Sequence, residues 1–488
     1  MKRLIIVGGG IAGLAATYFA LEKAKKIGES ISLKLLDEKD RLGGCILTEK
    51  MNGFVIEGGP DCFLYEKPWA LALCEKLGLG DRILNTNENR RVFILSKGKL
   101  HELPEGFMLM VPTSFTPFIK SSLISWPGKI RMAMDLFIPK KKSDEEESLA
   151  DFVRRRLGRE ALEKIAEPLV AGIHAGTPET MGLKSTFPRF LQIEEEYGSL
   201  IRGMLARRKM ALQWQKREGP QRTMFLTLKD GLGEWVDCLR ENIGDEVIGL
   251  KKRVMKVKRT EKGDYQVQLS DGTSFEADAI ILATPSFITA RIVEEMDPKL
   301  SEMLLTIPYV SSATVSLAYR RSQIHHPLDA FGFIIPRSEK RKIMASTWTS
   351  VKFNDRAPEG NVLLRVFVGG ANNEELVNLS DEEMLRMIQE ELKDIMDVEG
   401  DPILTRIYRW ERSMPQYLLG HLEKVAQMEG RTNLQPGLFL TGCAYKGIGI
   451  SDSVHDAEIV AGKAVEYLMK AEQRDRGQGE KCSKFSLT

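Results

Sequence analysis

The sequence predicts a chain of the α/β and α+β classes: a parallel-sheet unit, a second unit built on a mixed sheet, and a helical insertion. Three observations predict this. A strand–helix–strand pattern opens the chain over residues 2–37. Alternating apolar and polar positions, the mark of half-buried strands, recur between 310 and 368. Charged helical patterns and Pro-punctuated aromatic pieces fill 100–215.

The elements follow in order. Residues 2–7 (KRLIIV) read as a buried parallel strand, 11–26 as a helix and 31–37 as a second strand. A short strand is expected at 54–57, then a helix over 68–80 ended by Gly80. Helices are expected at 146–157 and 159–170, and another at 225–240 after a loop. Strands at 253–258, 264–269 and 274–276 follow, the last two joined by an Asp271-Gly272 hairpin turn. A strand at 278–283 precedes the sheet of 310–319, 331–336, 342–349 and 361–368, covered by a helix at 380–396. A strand at 437–442 and a helix at 454–470 close the chain before a polar, frayed tail at 471–488.

Bulk properties narrow the function. At 488 residues the chain exceeds one core, so two or three domains are expected. A net charge of +2 argues against nucleic acid as a partner. The six cysteines form no CxxC pair, which suggests neither a zinc site nor a disulfide framework and fits a reducing, cytoplasmic setting. The apolar run 4–21 superficially resembles a secretory signal, but glycines break it and no cleavage site follows. Phe107, Phe115, Phe118, Trp126 and Phe137 are interleaved with Lys120, Lys129 and Arg131. That mixture suits peripheral docking on the inner face of a membrane, and equally a helical subdomain that packs its aromatics inward.

Gly8-Gly9-Gly10-Ile11-Ala12-Gly13 is a GxGxxG turn between a strand and a helix, the context of the Rossmann dinucleotide fingerprint. Gly8 permits the tight turn, Gly10 admits a pyrophosphate, and Gly13 lets helix and strand approach. Asp37 ends the second strand, where its carboxylate can bind ribose hydroxyls.

Asp37 opens DEKDRLGG, and the double glycine Gly43-Gly44 resembles that of the monoamine oxidase and porphyrinogen oxidase group of FAD enzymes. The family usually has Glu in place of Asp37, and Arg or Lys in place of Cys45, which reads as a small filler. Gly59-Pro60-Asp61-Cys62-Phe63-Leu64, Ala171-Gly172-Ile173-His174-Ala175-Gly176 with Ser185-Thr186-Phe187-Pro188, and Ser413-Met414-Pro415-Gln416-Tyr417 with Gly420-His421 resemble segments of bacterial porphyrinogen oxidases. GCAYKGIGISD at 442–452 resembles their C-terminal flavin motif.

The resemblance implies an FAD-binding domain of the glutathione reductase/monoamine oxidase type from 1–85, 218–300 and 405–470. It implies a substrate domain from 86–100 and 301–404, and a helical, membrane-contacting domain over 101–217. Gly8, Gly9, Gly10, Ile11, Ala12, Gly13, Asp37 and Gly44 would hold the ADP half. Gly58, Gly59, Pro60 and Asp61 would line the flavin, Val254 would meet adenine, and Trp410 would lie by the isoalloxazine. Ile448, Gly449 and Ile450 would approach the pyrimidine edge from a helix N-terminus, whose partial positive charge suits reduced flavin. Val254 and Trp410 read equally as packing residues.

Gly172, Leu328, Thr347 and Phe367 would form the macrocycle slot, with Leu328 and Phe367 sandwiching pyrrole rings, though Leu328 and Thr347 read equally as ordinary sheet-core residues. Arg91, in competition with Arg90, and Lys67 would meet propionates, or remain solvated charges. His174 stands where the family has Phe or Tyr and reads as shape-filling rather than as a general base. No residue is expected to be a dedicated acid or base, and no metal-ligand spacing appears.

The implied reaction is oxygen-dependent oxidation of protoporphyrinogen IX to protoporphyrin IX in haem biosynthesis, by repeated hydride transfer to FAD with release of hydrogen peroxide. The alternative substrate is coproporphyrinogen III. More remote are an amine oxidase or desaturase, and a flavin-bound scaffold that hands porphyrin onward without turnover. A downstream chelatase is the implied protein partner.

Overall fold

The computed structural model describes residues 2–88, 91–104, 106–108, 110–143, 145–214 and 222–484, with backbone alone at 108, 211–214 and 471–484. Its N-terminal sheet is parallel throughout. Lys2–Val7 lies at the centre, between Ile31–Leu36 and Ala279–Leu282, with Ile248–Gly249 and Leu438–Leu440 outermost. Such strands are buried on both faces, which is why KRLIIV and AIIL carry unbroken apolar runs. Helix Ile11–Lys26 crosses one face and packs with Gly233–Ile243 and the last helix, Ile450–Lys484, through Leu14, Phe19, Trp235, Val454 and Leu468. Val254–Arg259, Tyr265–Leu269 and Ser274–Ala277 form an antiparallel ribbon over the other face.

The second sheet is mixed and seven-stranded. Its order is Leu404–Pro415, Tyr309–Arg320, Asn361–Gly369, Ile343–Trp348, Gly332–Ile334, Phe93–Ser96, Lys99–Glu102. One face carries Val315, Phe333, Trp348, Leu364 and Val366 onto Met384, Ile388 and Leu392 of helix Asp381–Met396. Ser380 opens that helix with a capping box to Glu383. The opposite face carries Thr314 and Arg365, which donate to the carbonyls of Gly58 and Gly59.

The helical region has its own core, with Phe118, Phe152, Ile165, Phe190 and Ile193 buried in it. A fully buried Arg156–Asp135 pair at 2.6 Å ties Leu149–Arg156 to its neighbours, and Asp135 also accepts from Ser199 and the amide of Ile201.

Three expectations need correction. Residues 225–240 are not one helix: Phe225–Leu228 is a strand between Phe63–Leu64 and Ile83–Asn85. Gly231, at φ +90°, then turns the chain before the helix begins at Gly233. The helix after Pro68 stops at Lys76, short of Gly80, and Leu404–Pro415 is a long strand that no pattern announced. The last helix continues to Lys484 through the expected frayed tail, in line with its Glu, Lys, Arg and Gln content.

Candidate functional site

The two ends of the chain meet at the glycine-rich turn. Gly442 lies against Ala12, its ideal Cβ position 3.9 Å from the Ala12 Cβ. A side chain at Gly13 would overlap the Gly8 carbonyl oxygen, so helix Ile11–Lys26 can start this close to the strand only with glycine there. That helix has no side-chain cap and no acid in its first turn. No side chain therefore caps its first-turn amides, which can meet an anion.

The double glycine runs directly over this turn. The Gly43 amide donates to Gly9 O at 2.8 Å, and a side chain at Gly44 would come within 3.0 Å of Gly10 Cα. Arg41 locks the crossing by donating to the carbonyls of Leu42, Gly44 and Ile46. The Asp37 carboxylate accepts from the amides of Gly9 at 2.6 Å and Lys39 at 2.7 Å, which leaves lone pairs for a ribose. Residue 252 donates its amide to Asp37 O, and the buried Val254 packs with Leu36, so the expected adenine contact borders the ribose acid. Cys45, at the end of this crossing, is solvent-accessible. This set of bare backbone, uncapped helix end and ribose acid fits an FAD pyrophosphate and its ADP half.

The expected flavin side is built by four elements that converge on Gly58–Asp61: strands Leu404–Pro415, Tyr309–Arg320 and Asn361–Gly369, and the short helix Thr349–Lys352. Trp410 Nε1 donates to Gly58 O at 2.8 Å and Thr314 Oγ1 donates to the same oxygen at 2.5 Å. Arg365 Nη2 donates to Gly59 O, and Lys352 Nζ donates to Asp61 at 2.9 Å. Lys352 and Arg365 together hold the Asp61 carboxyl well below the usual carboxylate range against its burial. Burial beside Asp61 pushes the Cys62 thiol up to about 12, so it stays a neutral thiol.

Opposite stands the start of the last helix. Ile448 and Gly449 precede Ile450, and this loop is fixed by Tyr417, whose hydroxyl donates to Cys443 O at 2.7 Å and accepts from the Gly447 amide at 2.8 Å. Tyr417 in turn stacks on His421 at 3.8 Å. The late motif thus acts through its tyrosine on the C-terminal one.

Strand register sorts the expected substrate residues. Thr347 pairs with Arg365 and Gly332, and Phe367 pairs with Thr314, so Thr347 and Phe367 share the polar face with the flavin-side residues. Gly172, on helix Glu167–His174, looks across to Ile334 with 3.9 Å between its ideal Cβ and Ile334 Cγ2. Leu328 is not brought to this group. It is buried with Ala330, Phe333 and Trp348 in the core under the opposite face.

The two expected propionate partners already have partners. Lys67 Nζ lies 2.5 Å from Asp452 in the first turn of the last helix. Arg91 lies 2.5 Å from Asp329 and 3.6 Å from Glu102. Arg90 lies outside the described residues. His174 is buried edge-on against Phe187 at 5.5 Å. Burial, with a smaller push from Lys67, lowers its pKa to about 4, which keeps the ring neutral.

Thr314, Lys352 and Arg365 carry no role in the sequence reading, and Tyr417 enters it only as a member of the late motif. A signal existed for Arg365: it interrupts the apolar run Val362-Leu363-Leu364 and Val366-Phe367-Val368 in the middle of a strand. Among the described residues no cluster of three metal-ligating side chains occurs. No described helix is long and apolar enough to cross a membrane.

The chain is similar to known proteins along most of its length. The model of the flavin-containing amine oxidoreductase family matches residues 11–464. A coproporphyrinogen III oxidase of Bacillus subtilis is 35% identical over 96% of this chain and 98% of its own. A chloroplastic protoporphyrinogen oxidase of Nicotiana tabacum is 26% identical over 96% of this chain and 86% of its own. A crystal structure from Exiguobacterium sp. 255-15, of a protein provisionally named protoporphyrinogen oxidase, superposes with TM-score 0.82 at 31% identity and covers 95% of this chain and 98% of its own. The expected fold class and the expected cofactor are thereby confirmed. Matched by the family model along most of its length, the chain belongs to the flavin-containing amine oxidoreductase family and is an FAD-dependent oxidoreductase.

Proposed function

We propose that this enzyme oxidises coproporphyrinogen III to coproporphyrin III, with O₂ taking the electrons and hydrogen peroxide leaving. One observation carries the choice: the coproporphyrinogen III oxidase relative is 35% identical, against 26% for the protoporphyrinogen oxidase. This reverses the preference for protoporphyrinogen expected from the sequence. Bound FAD supplies the hydride acceptor.

The chain's own residues do the rest. Trp410, Thr314 and Arg365 fix Gly58 and Gly59 so that the flavin-lining backbone cannot shift as substrate enters. Thr347, Phe367, Ile334 and the bare backbone at Gly172 offer a flat, largely apolar wall to the macrocycle. Lys67 and Arg91 sit as half-exposed cations whose carboxylate partners a propionate would have to replace or share. No side chain acts as a base. His174 is neutral and packed, and pyrrole protons pass to water.

The helical region fits peripheral docking on a membrane. Phe115, Trp126, Ile130 and Phe137 are 50%, 63%, 63% and 82% exposed. Phe118 is buried and Phe107 packs half-buried against it, while Lys129 is spent on the carbonyls of Ile119 and Ser121. Co-sedimentation with anionic vesicles tests this: wild type should pellet, and a double W126S/F137S substitution should not.

The substrate is tested by comparing kcat/KM on the two porphyrinogens. Coproporphyrinogen III should be preferred at least tenfold; a preference for protoporphyrinogen IX overturns the choice, and no turnover of either overturns the reaction.

A further inference from the structure

Beneath Gly58–Asp61 the structure buries more positive than negative charge. The Asp61 carboxylate serves two cations: Lys352 Nζ at 2.9 Å and Arg365 Nη1 at 3.8 Å. Lys352 is 8% exposed and Arg365 4%. A third cation, Arg356, is buried and donates to the carbonyls of Leu228 and Lys229. It faces Glu57, whose carboxyl is itself occupied by Thr48 and the Leu232 amide. Three buried cations thus share two carboxylates, Asp61 and Glu57, and burial pushes Glu57 up to about 7, so its charge is only partial. A buried cation without its own counter-ion is expensive, so its retention calls for a negative group from elsewhere.

Arg365 is placed to meet one. Nη2 donates to Gly59 O, and its guanidinium lies 4.8 Å from the centre of the Phe367 ring on the slot face. Nε is buried with no hydrogen-bond partner among the described residues. Withdrawal of hydride moves two electrons from substrate to cofactor, so negative charge develops on the cofactor side of that slot. A fixed cation in a dry site favours that charge without reorganising.

Resting on the reading of Gly58–Asp61 as the flavin-lining segment, we propose that Arg365 is an electrostatic positioning residue, whose surplus charge favours the reduced, anionic form of the bound flavin. Lys352 and Asp61 set the size of the surplus.

The test uses the flavin-loaded enzyme and two readouts independent of turnover: the two-electron midpoint potential, and the affinity for sulfite, an anionic probe that adds to oxidised flavin. R365Q should weaken sulfite binding at least tenfold and lower the potential by about 30 mV or more, the tenfold equivalent for two electrons. R365K should recover most of both. D61N should act with the opposite sign, raising the potential and tightening sulfite, because it enlarges the surplus. A structural role alone would not produce opposite signs from the two ends of one ion pair. The proposal is overturned if R365Q leaves both readouts within twofold of wild type, or if D61N moves them in the same direction as R365Q. Should R365Q fail to fold, R365K and D61N decide: a D61N protein with an unchanged or lowered potential overturns it. A wild type that binds no flavin would instead overturn the underlying reading of the site.

Discussion

Replacing His174 by the aromatic that the family carries there separates packing from catalysis. His174 is 8% exposed and packs edge-on against Phe187. Its pKa falls from 6.5 to about 4, first because burial disfavours the cation and then because Lys67 is near. The unfolded chain takes up this proton near 6.5 and the folded chain only near 4, so the stability tied to the neutral ring is complete above pH 6.5 and is lost as pH falls toward 4. The gap is worth about 3 kcal/mol. For a chain of 488 residues, with roughly 2.1 cal/mol/K of unfolding entropy per residue, that is about 3 °C in Tm. Thermal unfolding of wild type and H174F at pH 7.5 and pH 4.5 isolates the term, because every carboxylate is common to both. Wild type should lose about 3 °C more than H174F across that interval. H174F should also keep kcat within about threefold, since a general base is worth about 10²–10⁴. Parallel Tm losses would refute the electrostatic reasoning, and a hundredfold fall in kcat would refute the packing role.

Four further outcomes are expected. G13A should purify with little FAD, because its methyl would overlap the Gly8 carbonyl; stoichiometric flavin in G13A contradicts the close helix start. W410F removes the hydrogen bond to Gly58 O and should weaken FAD retention about 2- to 13-fold, for a loss of about 0.5–1.5 kcal/mol, read by flavin release on titration with denaturant. K67M should raise KM for coproporphyrinogen III several-fold with kcat changed less; a kcat-only effect would mark Lys67 as a clamp on Asp452 rather than a substrate contact. R156M should cost about 3–5 kcal/mol by leaving Asp135 buried and uncompensated, seen as early proteolysis within 101–217.

Legibility followed from how local each signal is. The nucleotide turn is written in consecutive residues, and the strand–helix boundaries at Val7, Ile11 and Lys26 fall where the pattern put them. The strand Leu404–Pro415 was hidden because its alternate positions are charged or half-exposed as it runs along the sheet edge. Phe225–Leu228 looked continuous with the following helix until the turn at Gly231 is seen. Lys352 and Arg356 look like ordinary surface charges in a sequence, and Arg365 stands out only by interrupting an apolar strand. Only the tertiary packing of three segments over Asp61 and Glu57 buries them. Leu328 has two readings in the sequence for the converse reason: an apolar residue in a loop says nothing about which face of a sheet it joins, and the structure places it in the core. The substrate, too, is set by the few side chains along one slot, which spacing alone does not reveal.

Anaerobic mixing of the purified protein with porphyrinogen tests the central claim most directly. The protein should be yellow with bound FAD, and its visible absorbance should bleach on adding coproporphyrinogen III, then return with air as the porphyrin appears. A flavin that stays oxidised in the presence of both coproporphyrinogen III and protoporphyrinogen IX would contradict the account.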